Sequence, residues 1–108
     1  MVGKLFKVVF SRKSQKQLKD ISDYVAKNAS PTQARKVRRA IKKAGDNLAH
    51  LPKSKPILPG TEHLPKQIRY TKKWSFKIIF RVLKSVGIVR VLGIRHDKEA
   101  PDDIKGNL

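Results

Sequence analysis

The stretch WSFKIIFRVLKSVGIVRVLGIRH, residues 74–96, decides the reading of this chain. Within it Phe76, Ile78, Phe80 and Val82 alternate with Lys77, Ile79 and Arg81. A period of two over aromatic and β-branched residues marks a strand with one face on a core. The first set is expected to face the packed layer and the second set the opposite side. Lys84-Ser85 interrupts the run, and residues 86–95 resume the pattern as a further strand. Upstream, residues 67–71 read as a strand with a tight turn at Lys72-Lys73. Strands so close in sequence pair as an antiparallel meander.

Working outward, Pro52, Pro56, Pro59 and Gly60 break any periodicity, so residues 52–65 read as an extended loop. Before the loop the period is helical. Leu18, Ile21 and Val25, with Tyr24 and Ala29 beside them, give one stripe that starts after Ser11 and runs through about residue 28. Ser30-Pro31-Thr32-Gln33 then places Ser at an N-cap, Pro at the first helical position and Gln at the third. Ala34, Val37, Ile41, Ala44, Leu48 and Leu51 form the next stripe, from Ala34 to about His50. Gly45 costs that helix about 1 kcal/mol unless something packs close to it. Two helices joined by one tight turn pack as an antiparallel hairpin. Residues 5–10 are apolar and β-branched and open the chain as a strand.

The order is therefore β-α-α-β-β-β. The expected fold class is α+β, an N-terminal strand and a helical hairpin on a small, mainly antiparallel twisted sheet. One sheet face is covered by the hairpin and the other is left available. Residues 1–99 read as a single domain and residues 100–108 as a flexible C-terminal tail.

Charge narrows the function. The chain holds 26 Lys and Arg against 8 Asp and Glu, a formal +18 over 108 residues. Such self-repulsion points to a polyanionic target, an acidic partner, or both. The absence of Cys excludes disulfides and thiolate zinc sites. Three His and few carboxylates, none in a metal-ligand spacing, point to no metal and no cofactor. The start MVGKLFKVVF is too short and too charged for a secretory signal, and no run is long enough to span a membrane. A soluble cytoplasmic protein without a membrane partner is expected.

Arg35, Lys36, Arg38, Arg39, Lys42 and Lys43 crowd the second helix, either as a solvated face or as a grip on a polyanion. The strand region holds Lys66, Arg69, Lys72, Lys73, Lys77, Arg81, Lys84, Arg90, Arg95 and Lys98, with Arg69, Arg81 and Arg95 near the middles or ends of apolar-patterned strands. Their side chains can snorkel from the sheet edge or line a concave anion site. Lys53 and Lys55 stand in the loop as mobile point charges for phosphate. His96 can move protons near neutral pH, and arginine can hold a phosphate through paired hydrogen bonds. Cleavage of RNA through its 2′-hydroxyl needs a base, an acid and charge stabilisation. His96 with Arg81 and Arg69 could supply part of that set without metal; otherwise His96 only hydrogen bonds at a strand end. His50 and His63 are expected to face solvent. Glu62, Asp97 and Glu99 are expected to pair with nearby Lys or Arg.

These pieces, taken in order, resemble the RelE/ParE superfamily of toxins from type II toxin–antitoxin pairs. The resemblance runs from about Leu5 to Lys98. It rests on Leu18-x-x-Ile21-x-x-Tyr24-Val25-Ala26 followed by Ser30-Pro31-x-x-Ala34, which is similar to the ParE branch. It rests also on Leu48-x-x-Leu51-Pro52, Ile68-Arg69, the run from Phe76 to Val82, and Val89-x-Val91-Leu92-x-Ile94-x-His96. The resemblance implies a growth-inhibiting toxin held by a cognate acidic antitoxin, with operator DNA bound only through that antitoxin. RelE-like members cut mRNA on the ribosome, and ParE-like members inhibit DNA gyrase. Under the first reading, which the charge favours, this is a metal-independent, ribosome-dependent endoribonuclease. His96 then transfers protons, Arg81 stabilises the scissile phosphate and Arg69 orients it. Lys53, Lys55, Lys77, Arg95, Arg35, Arg38, Arg39 and Lys42 hold RNA. The alternatives are a gyrase inhibitor without nuclease activity and a non-toxic RNA-binding relative. Two features stand apart from the nuclease pattern: no tyrosine follows Arg81, and Asp97 and Glu99 fall where a basic ending is common.

Overall fold

A computed structural model describes residues 5–96. The expectations for Asp97 and Glu99 and for a tail over residues 100–108 lie outside the described residues. The elements run β1 (Lys7–Phe10), α1 (Arg12–Asn28), α2 (Pro31–Asp46), β2 (Arg69–Lys73), β3 (Phe76–Leu83) and β4 (Ile88–His96). The α+β order β-α-α-β-β-β is thus the observed one. The sheet order is β1-β4-β3-β2, with β1 parallel to β4 and the other pairings antiparallel.

The helices begin where the caps dictate. The Ser11 hydroxyl accepts from the Ser14 amide at 3.1 Å, and the Ser30 hydroxyl accepts from the Gln33 amide at 3.1 Å. Each cap satisfies a donor that has no intrahelical partner. Pro31 occupies the first turn of α2, where no amide is needed. The inner stripes of both helices cover one sheet face. Leu18, Ile41 and Leu48 pack there with Ile78, Phe80, Val89, Val91 and Ile94.

A β-bulge sets the geometry of the middle of the sheet. Ile79 faces Gly93 and Phe80 faces Val91, so Leu92 is the extra residue on β4. A bulge disrupts the ladder and frees backbone groups. Helix α1 supplies partners at this place: the Ser11 hydroxyl donates to the Leu92 carbonyl at 3.3 Å, and the Gln17 Oε1 accepts from the Ile94 amide at 2.8 Å. A side chain at Gly93 would meet that same Gln17 oxygen at 3.1 Å.

Four expectations need correction. First, the far sheet face is not simply left available. Leu58, from the Pro-rich loop, packs with Ile68 and Ile79 against Tyr70 and Leu92 and makes a second small core there. The Leu58 amide donates to the Ile68 carbonyl at 2.7 Å, and Ile57 bridges to Arg69, so the loop pairs with the start of the strand. Second, Lys72 and Lys73 are in β2, opposite Lys77 and Phe76. The turn is Trp74-Ser75, with Trp74 at φ 54°. A two-residue hairpin needs a positive φ to match strand twist, and that need outweighs the poor fit of a tryptophan. Third, α2 ends at Asp46 and continues only as a 3-10 turn over Asn47–Ala49. Leu51 leaves the apolar stripe altogether. It is 74% exposed at φ 46°, while Pro52, which has no amide to extend a helix, is buried. Fourth, the Glu62 carboxylate accepts from the Gly60 amide at 2.9 Å and forms no ion pair with a described residue.

Candidate functional site

The cations of the sheet converge at its rim. Lys53 stands on the 3-10 turn Pro52–Ser54 that follows the left-handed Leu51. Arg69 opens β2, and its guanidinium is held twice: Nη1 donates to the Lys55 carbonyl at 2.6 Å and Nη2 to the Gln67 Oε1 at 2.8 Å. Arg81 lies on β3, where alternation with Phe80 and Val82 sends it to the face opposite the helices. Lys84 starts the turn Lys84–Val86, closed by Gly87 at φ 66°. Lys53, Lys66, Arg69, Arg81 and Lys84 line one depression of about 420 Å³ together with Pro65, Gln67 and Val82. No carboxylate is among the described lining residues. Desolvation, then the Lys84 ammonium, then Arg69 push the Lys53 amine below the ordinary lysine value, although its side chain is exposed.

The cationic surface extends beyond the depression. The register sets Arg81 opposite Arg90 and Lys77 opposite Arg95. Like charges directly across a strand pair repel. Lys77 also lies over the Tyr70 ring, 5.2 Å from its centre.

His96 is placed elsewhere. It pairs with Phe76 across the ladder and meets the Phe76 ring edge-on, at 5.4 Å between centres. It borders a groove of about 410 Å³ between α1 and the sheet, with Asp20, Ile21, Tyr24, Val25 and Arg95. Phe76 is five residues along β3 from Arg81. At the rise of a strand that separation is about 16 Å. The structure brings Arg69 and Arg81 together and does not bring His96 to them. His50 and His63 are exposed.

The remaining predicted binders divide among other places. Lys55 lines a third depression, of about 460 Å³, with Lys43 and Lys73 between α2 and β2. Arg35, Arg38, Arg39 and Lys42 are exposed along α2. Lys42 is partly engaged, 3.5 Å from the Asp46 carboxylate and 5.4 Å from the centre of the Phe10 ring. Sequence reasoning grouped Lys66, Lys84 and Arg90 with Arg69 and Arg81 in the cationic strand region but did not name them as site residues. Lys84 reads as a turn residue and Lys66 as loop, so only their closeness in sequence to Arg69 and Arg81 could have signalled them.

The family model for the ParE toxin of the type II toxin–antitoxin system parDE matches residues 8–101. The chain belongs to this family, within the RelE/ParE superfamily of type II toxins. Its fold is similar to that of a chain in the chromosomal ParDE toxin–antitoxin system from P. aeruginosa. The TM-score is 0.70 at 20% identity, covering 87% of this chain and 98% of that one. It is also similar to a chain of the RelBE2 toxin–antitoxin complex from Mycobacterium tuberculosis. There the TM-score is 0.60 at 14% identity, covering 85% of this chain and 98% of that one. No curated protein matches significantly by sequence.

Proposed function

We propose that the chain is a growth-inhibiting toxin of the ParE type, acting on DNA gyrase in the cytoplasm without cutting nucleic acid. The separation of His96 from Arg69 and Arg81 carries this reading. A phosphodiester seated on the arginines would lie about 16 Å of strand from the His96 position, beyond the hydrogen-bond reach that proton transfer requires. The match to the ParE family over residues 8–101 supports it. His96 then has a packing role against Phe76, and the helical hairpin and sheet rim are contact surfaces.

A cognate antitoxin with an acidic segment is the natural partner. Such a segment would relieve the repulsion of the Arg81–Arg90 pair. The apolar groove beside Tyr24 and Phe76 would take its apolar residues.

One observation favours a second reading. Lys53, with its lowered pKa, lies at the same depression as Arg69 and Arg81. A neutral lysine there could accept a proton in RNA cleavage, a role that the sequence assigns to His96. Induction of the chain in bacterial cells, followed by pulse labelling, separates the two. Gyrase inhibition predicts an early block in DNA synthesis while translation continues. An immediate fall in translation with mRNA cut inside codons would overturn it in favour of the Lys53 scheme.

A further inference from the structure

We infer that the rim formed by Lys53, Lys66, Arg69, Arg81, Lys84 and Arg90 binds the phosphate backbone of duplex DNA directly. This deepens the gyrase reading, whose substrate is duplex DNA, and rests on it only for where the DNA is met. It is distinct from operator binding through an antitoxin.

Three observations carry the inference. The first is charge without compensation among the described residues. Five of these cations line one depression with no carboxylate among its described lining residues, and Arg90 stands across the ladder from Arg81. The ion pairs between described residues, Lys19–Asp23 and Lys42–Asp46, are on the helices. A cluster of this kind is self-repelling until an anion occupies it.

The second is preparation. Arg69 is fixed by two hydrogen bonds, and Arg69, Arg81 and Arg90 come from paired strands rather than from loops. Groups on rigid elements lose little freedom when they meet a ligand.

The third is what the rim lacks. Its other lining residues are Pro65, Gln67 and Val82. The exposed aromatics, Tyr24 and Trp74, lie on α1 and on the hairpin turn. Trp74 sits at the hairpin turn, at the far end of β2 from Arg69 and five strand residues of β3 beyond Arg81, roughly 16 Å away at the rise of a strand. Single-stranded nucleic acid is held by stacking bases on aromatic rings. A duplex keeps its bases inside and offers phosphates, which cations alone can hold. The rim fits the duplex.

The test is fluorescence anisotropy of a short labelled duplex of arbitrary sequence, with the purified chain, across a salt series. The affinity should fall steeply with salt. Substitution of the exposed pair, Lys84→Gln with Arg90→Gln, should flatten the logarithmic salt slope by about 0.9 for each cation removed. Arg81→Gln is the second variant, and circular dichroism confirms that each is folded. Arg35→Gln with Arg38→Gln on α2 should leave the slope unchanged. No binding at low salt, equal slopes in the rim and α2 variants, or tighter binding to a single strand of the same sequence would overturn the inference. Gyrase supercoiling is read in parallel. Duplex binding through the rim with gyrase unaffected keeps the inference and removes the gyrase reading. Gyrase inhibition by a chain whose rim variants do not change the slope keeps the reading and removes the inference.

Discussion

At Gly45 the interior of a helix forgoes an alanine, and the reason is a single aromatic ring. A Cβ there would stand 2.5 Å from the Phe10 Cζ. Gly45→Ala gains about 1 kcal/mol of helix propensity. Overpacking costs about 1–3 kcal/mol. The variant should therefore be less stable by about 1 kcal/mol in urea unfolding, and Phe10→Leu should reverse the sign of the Gly45→Ala effect. An additive double mutant would contradict this account. The sequence left open whether Gly45 is a simple cost or answers a close neighbour; that the neighbour is Phe10 was not legible, because the contact joins residues 35 positions apart. Lys53 is a second case. Its pKa is lowered, chiefly by desolvation and then by Lys84. The charged form is disfavoured in the fold, so Lys53 loses its proton at a pH where an ordinary lysine still holds one. Deprotonation adds stability as pH rises from the folded value towards the usual 10.5. An amine-acylating reagent, applied briefly at moderately alkaline pH and read by peptide mass spectrometry, should modify Lys53 ahead of other exposed lysines. Lys84→Ala should slow that modification. Lys53 labelling no faster than Lys13 or Lys36 would contradict it.

Among the elements, the helices and β3 were legible because each carries its own period and its own stop signals. Ser11 and Ser30 cap as expected, and Phe76, Ile78, Phe80 and Val82 face the helices. The boundaries that moved are those set by partners distant in sequence. Lys72 and Lys73 look like a turn locally, yet they join β2 because β3 pairs with them. The loop core around Leu58 could not be read, since a Pro-rich segment has no period to announce a buried face. The displaced turn leaves Trp74 at φ 54° and 52% exposed, with the Lys73 ammonium 5.1 Å from the centre of its ring. Left-handed geometry costs a bulky residue about 1–3 kcal/mol. The cation–π contact returns about 0.5–1 kcal/mol at an exposed site. Trp74→Asn, a residue at home in that geometry, should raise stability by about 0.5–1 kcal/mol in denaturant unfolding. A loss of 1 kcal/mol or more would mean that the ring contributes packing beyond its contact with Lys73.

For the whole molecule, charge is the property most visible in sequence and least able to name a target. The +18 balance points to an anionic partner, but basic composition suits ribosomal RNA and DNA alike. The arrangement of His96 relative to Arg69 and Arg81 is a three-dimensional fact. Three residues read as one candidate set belong to two surfaces, because the positions of Arg81 and His96 in the ladder differ by five residues of β3. An anion bound at the rim stabilises the native state by mass action. Inorganic phosphate should therefore raise the thermal midpoint more than chloride at equal ionic strength, and the Lys84→Gln with Arg90→Gln chain should lose most of that difference. Equal midpoints in the two salts would count against an anion site. The central claim is that a ParE-family toxin with this split constellation acts on gyrase and does not cleave RNA. Its most direct test adds the purified chain to purified gyrase and relaxed plasmid, with supercoiling and DNA breakage resolved on gels, beside a reaction of the chain with translating ribosomes. The account predicts inhibited supercoiling with trapped breaks, intact mRNA, and the same result with His96→Ala. Untouched gyrase together with mRNA cut on the ribosome would contradict it.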